Sequence, residues 1–228
     1  SESPPPYAPA LCQCTEGSRV PAEPIRVCGT IKDKRKIDER VFELMETVGL
    51  AARFVNTYPH ELDGGRRQRI GVARALSVDP QFIVCDEPVS ALDVSIQAQI
   101  LNLMMDLQDS RNLTYMFITH DLSVVKHISS DIAVMYLGQL VEFASTRELF
   151  RNPMHPYTQA LLDAIPVPSI RRKNQERNYI RGEVTSPINP PPGCRFVARC
   201  PYSNETCRQN MSLTEIAPGH FVLCSKFC

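Results

Sequence analysis

The sequence predicts an α/β fold with a largely parallel sheet and an irregular C-terminal extension rich in Cys and Pro. Three observations lead there. Short apolar runs at 81–85, 114–119 and 132–136 alternate with runs of helical period at 66–76, 94–107 and 121–129, and that alternation marks parallel α/β architecture. Hydrophobic residues make up 43% and charged residues 22% of 228, which supports a core and excludes wholesale disorder. Most of the 19 Pro and 9 Cys crowd toward the head and the tail.

Charge removes some functions. Lys plus Arg is 25 and Asp plus Glu is 25, so no global positive field attracts nucleic acid, and no nucleic-acid partner is expected. No apolar run approaches the roughly 20 residues that span a bilayer. The opening Ser1-Glu2-Ser3-Pro4-Pro5-Pro6 is neither basic nor apolar, so a secretory leader is not expected.

The elements follow in order. Residues 1–21 are Pro-rich and lack a period of 2 or 3.6, which predicts irregular chain. Ile37, Val41, Leu44, Met45 and Val48 share one helical face, and Gly49 stands in the usual closing position. A helix is expected over Arg66 to Leu76, ended by Asp79-Pro80. Gln81 to Cys85 reads as a buried strand, Val94 to Leu107 as a helix, and Thr114 to Thr119 as a second buried strand. Asp121 to Ser129 is a helix and Ile132 to Tyr136 a third strand, which turns at Leu137-Gly138-Gln139 into Leu140-Val141-Glu142-Phe143 as a hairpin. Short helices are expected around Thr146 to Phe150 and Tyr157 to Ile165, a polar linker over 166–185, and an irregular tail over 186–228.

Several residues carry candidate chemistry. Asp63-Gly64-Gly65-Arg66 opens a helix, where glycines let backbone N–H groups approach a phosphate and the helix end favours an anion. The same residues also suit a plain turn and N-cap. The apolar run Phe82-Ile83-Val84-Cys85 delivers Asp86 and Glu87 at its C-terminal end, where parallel sheets bind ligands. Asp86 suits Mg²⁺ held through water, and Glu87 suits a general base acting on water. Either acid could equally be a solvated strand end. His120 ends the next strand, in position to contact a γ-phosphate or to be merely structural. Ser90-Ala91-Leu92-Asp93 lies between them.

Taken together, these motifs resemble the ATP-binding subunit of ABC transporters, from about Ala22 to Phe221. Asp-Gly-Gly-Arg-Arg-Gln-Arg, Asp-Glu-Pro, Ser-Ala-Leu-Asp and Thr-His-Asp occur in that family's order. The resemblance implies a P-loop NTPase fold with a helical signature region. It implies that Leu62 to Arg66 is the signature motif, Phe82 to Asp86 is Walker B, and Glu87 is the catalytic base. Ser90 to Asp93 becomes the D-loop, and His120 the switch histidine. It further implies ATP and Mg²⁺, a head-to-tail dimer with a second ATPase subunit, two membrane permease subunits, and, indirectly, a periplasmic or lipid-anchored binding protein. The expected location is peripheral, on the cytoplasmic face of the membrane. Asn152-Pro153-Met154-His155-Pro156-Tyr157-Thr158 and Ser186 to Cys194 look like oligopeptide and dipeptide importers, with nickel importers sharing part of the pattern.

The chain departs from that family in two places. No Gly-Lys pair occurs, so the P-loop that cradles phosphates is absent. The expectation is that roughly the first third of a normal subunit is missing and that residues 1–21 are a shifted reading frame. Asp63 stands where serine is usual and Arg66 where glutamine is usual, a substitution expected to be tolerated.

The tail holds Cys194, Cys200, Cys207 and Cys224, with five, six and sixteen residues between successive members. This is not a zinc-ribbon spacing. Reduced cytosolic thiols so grouped suggest a metal, and the family resemblance favours a [4Fe-4S] cluster over zinc. Free thiols and, for the chain as a whole, a non-catalytic metal-binding regulatory fragment are the alternatives. The expected domains are thus 1–21, a partial ATPase domain at 22–165, the linker 166–185 and the Cys-rich extension 186–228.

Overall fold

The computed structural model describes residues 19–165, 186, 188–190 and 192–227. Of the expected irregular head 1–21, residues 1–18 lie outside them and 19–21 open a helix, so that part of the expectation is corrected; the linker 166–185 also lies outside the described residues. The chain divides into two compact units, one up to His120 and one from Asp121.

The first unit contains α1 (Arg19–Cys28), α2 (Lys34–Thr47), α3 (Gly64–Leu76), β1 (Phe82–Asp86), α4 (Val94–Arg111) and β2 (Thr114–Ile118). Helix α2 begins where the Asp33 side chain accepts from the Arg35 N–H, an N-cap that replaces a missing intrahelical partner. It ends at Gly49, whose φ of +69° glycine tolerates without strain. Arg69 of α3 reaches back to the Val48 carbonyl at 2.6 Å. The core of this unit comes from Ile25, Val41, Leu44, Ile70, Leu76 and Leu107, among others. Helix α1 has no clear sequence signal, because Pro24 lies inside it and proline disfavours helix interiors.

Strands β1 and β2 pair in parallel, with Phe82 opposite Thr114 and Asp86 opposite Ile118. Side chains alternate between faces. Ile83 and Tyr115 point toward the helical core, and Cys85 is buried. Phe82, Val84, Met116 and Ile118 share the opposite face and are 51%, 43%, 51% and 45% exposed. The expectation of buried strands therefore holds for one face and is corrected for the other. Among the described residues the pair is covered on one face only.

The second unit contains α5 (Leu122–Ile128), β3 (Asp131–Tyr136), β4 (Gln139–Ser145), α6 (Thr146–Arg151), α7 (Pro156–Asp163), β5 (Thr214–Ala217) and β6 (His220–Val222). Its strands form an antiparallel sheet in the order β3-β4-β6-β5. Leu137 and Gly138 turn the β3–β4 hairpin with φ of +47° and +75°, the paired positive values that match strand twist. The expected irregular tail is in part a sheet. Strand β6 pairs with β4 through Glu142–Val222 and Phe143–Phe221, and both tail strands are too short to show a period.

The core of the second unit joins the hairpin to the tail. Ile132, Val134, Tyr136, Val141 and Ala144 pack with Cys194, Phe196 and Cys207. Phe196 is 1% exposed, and its ring lies 5.2 Å from Tyr136, 5.4 Å from Tyr157 and 5.9 Å from His155. Gly193 adopts φ +90°, and a Cβ there would sit 2.3 Å from the Cys207 carbonyl oxygen. Only glycine allows that approach, which brings Cys194 N–H within 2.8 Å of the same oxygen. No helix among the described residues is long and apolar enough to cross a membrane.

Candidate functional site

The β1 strand end carries the first group. Asp86 is exposed at its last position. Glu87 follows with φ +44°, a left-handed value unusual for a residue with a side chain, and such strained positions gather at functional sites. Its backbone N–H donates to the Ile118 carbonyl at 2.8 Å, so β2 holds the turn in place. Glu87 Oε1 lies 3.0 Å from His120 Nδ1. The hydrogen bond from His120 is the largest cause, and Ser90 the next, of a Glu87 pKa held below the ordinary carboxylate value. Both side chains are open to solvent. A carboxylate oriented by an imidazole at a strand end can accept a proton from water and turn that water toward an electrophile.

The signature segment forms the second group. Asp63 caps α3: its Oδ1 accepts from Arg66 N–H at 2.8 Å, and its Oδ2 accepts from Arg66 Nη1 at 2.7 Å. A Cβ on Gly64 would lie 2.7 Å from Leu92 Cδ2, and one on Gly65 would lie 2.7 Å from Ile96 Cγ2. The glycines thus let the start of α3 press against the Ser90–Asp93 loop and the first turn of α4. Asp93 is the exposed N-cap of α4, with no side-chain capping bond. The structure brings Glu87 to His120 and the two glycines to the D-loop. It gives the Asp86 and Asp93 side chains no hydrogen bond or ion pair with the other candidates among the described residues.

Sequence reasoning named Ser90 and Leu92 only as parts of the D-loop, without their contacts, and missed Phe54. Ser90 Oγ donates to the Glu87 carbonyl at 3.2 Å, and its place beside the carboxylate pair was the available signal. Leu92 is the wedge against Gly64. Phe54 lies 4.7 Å beneath the Arg66 guanidinium, and nothing in the sequence spacing connects the two.

The cysteine tail differs from expectation. Cys194, Cys207 and Cys224 are buried and Cys200 is half-buried, all as free thiols. Among the described residues no group of three or more His, Cys, Asp or Glu side chains is arranged to hold a metal ion. Two thiols already have other partners. Cys194 Sγ faces His155 Nε2 at 3.8 Å, and Cys207 Sγ lies 3.1 Å from Asn204 Oδ1 and 3.0 Å from Ser225 Oγ. Burial pushes the Cys194 pKa up to about 11, so with no metal bound this thiol keeps its proton.

A polar knot lies beside them. Glu142 is wholly buried and accepts from Met154 N–H at 2.8 Å, His155 N–H at 2.9 Å and His220 Nε2 at 2.8 Å. It ties β4 to the start of α7 and to β6. Nothing in the local pattern of Leu140 to Phe143 reveals it.

Comparison with known proteins now defines the class. A family model described as ABC transporter matches residues 13–90, and one described as oligopeptide/dipeptide transporter, C-terminal region, matches residues 141–207. The matched segments are those of the ABC transporter ATP-binding family. The chain is 54% identical over 192 residues to the oligopeptide transport ATP-binding protein AppF of Bacillus subtilis, covering 83% of this chain and 58% of that protein. It is 53% identical to the dipeptide transport ATP-binding protein DppF of Haemophilus influenzae, over 82% of this chain and 57% of the relative. It is 48% identical to the oligopeptide transport ATP-binding protein OppF of Escherichia coli, over 90% and 62%. The chain therefore spans about three-fifths of the length of these relatives. Among solved structures, the dimeric post-hydrolysis state of the ATP-binding cassette MJ0796 bound to ADP and Pi matches with TM-score 0.53 and 26% identity, over 60% of this chain and 59% of that one. An inward-facing metal-chelate type ABC transporter matches with TM-score 0.57 and 24% identity, over 70% and 62%, and shows the fold alone.

Proposed function

We propose that this chain belongs to the ATP-hydrolysing subunit that powers import of oligopeptides or dipeptides. The Glu87–His120 contact at 3.0 Å, at the end of β1 beside Asp86, carries the reading. The similarity to AppF, DppF and OppF supports the substrate class.

In this reading Glu87 takes the proton of the attacking water, and His120 orients both that carboxylate and the terminal phosphate. Asp86, exposed and oxygen-bearing at the strand end, would hold a magnesium ion through the ion's own waters. That ion would supply charge neutralisation on the phosphates. Gly64 and Gly65 bring the start of α3 against the D-loop, so both move as one surface toward the nucleotide of a partner subunit. The sequence itself contains no P-loop lysine, so phosphate cradling requires residues other than these.

The proposed partners are a second ATPase subunit, two permease subunits and, through them, a peptide-binding protein outside the membrane. The proposed location is peripheral, at the cytoplasmic membrane face. The proposed organisation keeps the ATPase part through residue 165 and the Cys-rich extension from 186. A [4Fe-4S] cluster or zinc on Cys194, Cys200, Cys207 and Cys224 has the narrowest footing. It requires the thiols to give up their protons, and iron, sulfide and zinc analysis of the purified protein decides it. Peptide-stimulated ATP turnover by the assembled complex tests the main reading. No turnover with any peptide, in a complex that assembles fully, overturns it.

A further inference from the structure

The signature segment presents an acid where the family resemblance implies serine. A hydroxyl can donate a hydrogen bond to a phosphate oxygen, whereas an ionised carboxylate only accepts. Asp63 therefore cannot do what the expected hydroxyl does. Both of its oxygens are also engaged, one by the Arg66 backbone N–H at 2.8 Å and one by Arg66 Nη1 at 2.7 Å.

Arg66 is held from a second side. Its guanidinium carbon lies 4.7 Å over the Phe54 ring, and Phe54 is packed against the core of the first unit. A cation over an aromatic face is attracted by the ring quadrupole. The guanidinium is thus fixed between a carboxylate and a ring in the first turn of α3, yet its side chain remains 44% exposed. Its other N–H groups have no acceptor among the described residues.

We infer that Arg66 supplies the phosphate-facing donors of this signature segment, while Asp63 is a positioning residue that caps α3 and holds Arg66 in place. The inference rests on the ATPase reading above and names the group that meets the partner-bound nucleotide. A planar guanidinium meets a phosphate through two parallel N–H···O bonds, which neither serine nor lysine reproduces. Pairing with Arg66 also cancels the charge that would make a lone Asp63 carboxylate repel the nucleotide. An exposed ion pair of this kind is weak, so a phosphate can compete for the guanidinium.

The test uses the assembled transporter containing this chain, with ATP turnover and thermal unfolding both measured. Arg66→Gln is expected to raise the KM for ATP about tenfold, the loss of one charge-assisted contact, with the unfolding midpoint nearly unmoved. Adding Asp63→Ser to that variant is expected to bring KM back to within about threefold of the original, because the unpaired carboxylate is then gone. An Arg66→Gln complex whose KM stays within twofold overturns the inference. So does a double variant no better than the single one, or an effect confined to the unfolding midpoint. A neutral Arg66→Gln in an active complex overturns only the role of Arg66. A native complex with no ATP turnover overturns the ATPase reading and this inference with it.

Discussion

The two units are stabilised in different ways. In the first, the helices carry the core, and the parallel pair β1–β2 leaves Phe82, Val84, Met116 and Ile118 open on one face. Its polar candidates, Asp63, Arg66, Glu87 and His120, are all exposed. In the second, the tail is folded into the sheet, and the polar groups Glu142, His155 and His220 are buried and interlocked. Exposed polar groups cost the fold little and stay available for chemistry. Buried ones cost much to lose, and they fix which strands pair. The first unit is arranged to present side chains, and the second to clasp its own tail.

The largest expected effect breaks the chemistry and spares the fold. In the assembled complex Glu87→Gln should lower ATP turnover by about a hundredfold or more, as loss of a general base does, while circular dichroism stays unchanged because the side chain is half exposed. The purified chain alone should show no measurable Mg-dependent ATPase; ordinary turnover abolished by Glu87→Gln would falsify this.

The next effect falls on the second unit alone. Glu142→Ala leaves two backbone N–H groups and His220 without their acceptor, and should cost roughly 3–5 kcal/mol as broken buried pairs do. Urea unfolding followed by hydrogen exchange should show the loss in residues from 121 onward. Equal loss in both units would contradict the contrast drawn here. Gly193→Ala should act in the same place, through the clash with the Cys207 carbonyl.

Acid should separate the units more gently. Burial pushes the His155 pKa down from 6.5 to about 4, against a smaller opposing pull from Glu142. The unfolded chain therefore binds a proton between those values that the folded chain refuses. Stability is fully present above about pH 6.5 and is lost as pH falls toward 4, by roughly 3 kcal/mol in total. His155→Asn keeps a good N-cap for α7 and should flatten that slope. A slope that survives the substitution would assign it to other groups.

The smallest effect lies in the first unit. His120→Ala removes the main cause of the lowered Glu87 pKa, so a carbon-detected titration should show the Glu87 midpoint rising toward 4.5. No movement would mean that the 3.0 Å contact is not formed in solution.

Much of this was legible in the chain. The helices from α2 to α5, both parallel strands and the hairpin follow from apolar period and from Gly49 and Gly138. Glu87 beside Asp86 at a strand end, and His120 at the next, followed from motif order. What stayed hidden is non-local. Arg66 over Phe54, Leu92 against Gly64, and β6 beside β4 join residues whose spacing carries no period. The grouping of the tail thiols and the family resemblance suggest a metal, whereas folding gives Cys194 and Cys207 the neighbours His155, Asn204 and Ser225.

The sequence by itself therefore determined the element order, the family and the candidate chemistry, because periodicity and motifs are local properties of the chain. Only the tertiary structure decided that one face of β1–β2 is open, that Glu142 holds the tail, and that Asp63 is spent on Arg66. Those outcomes depend on which polar groups lose water and which partner each then finds, and contacts across the fold settle that.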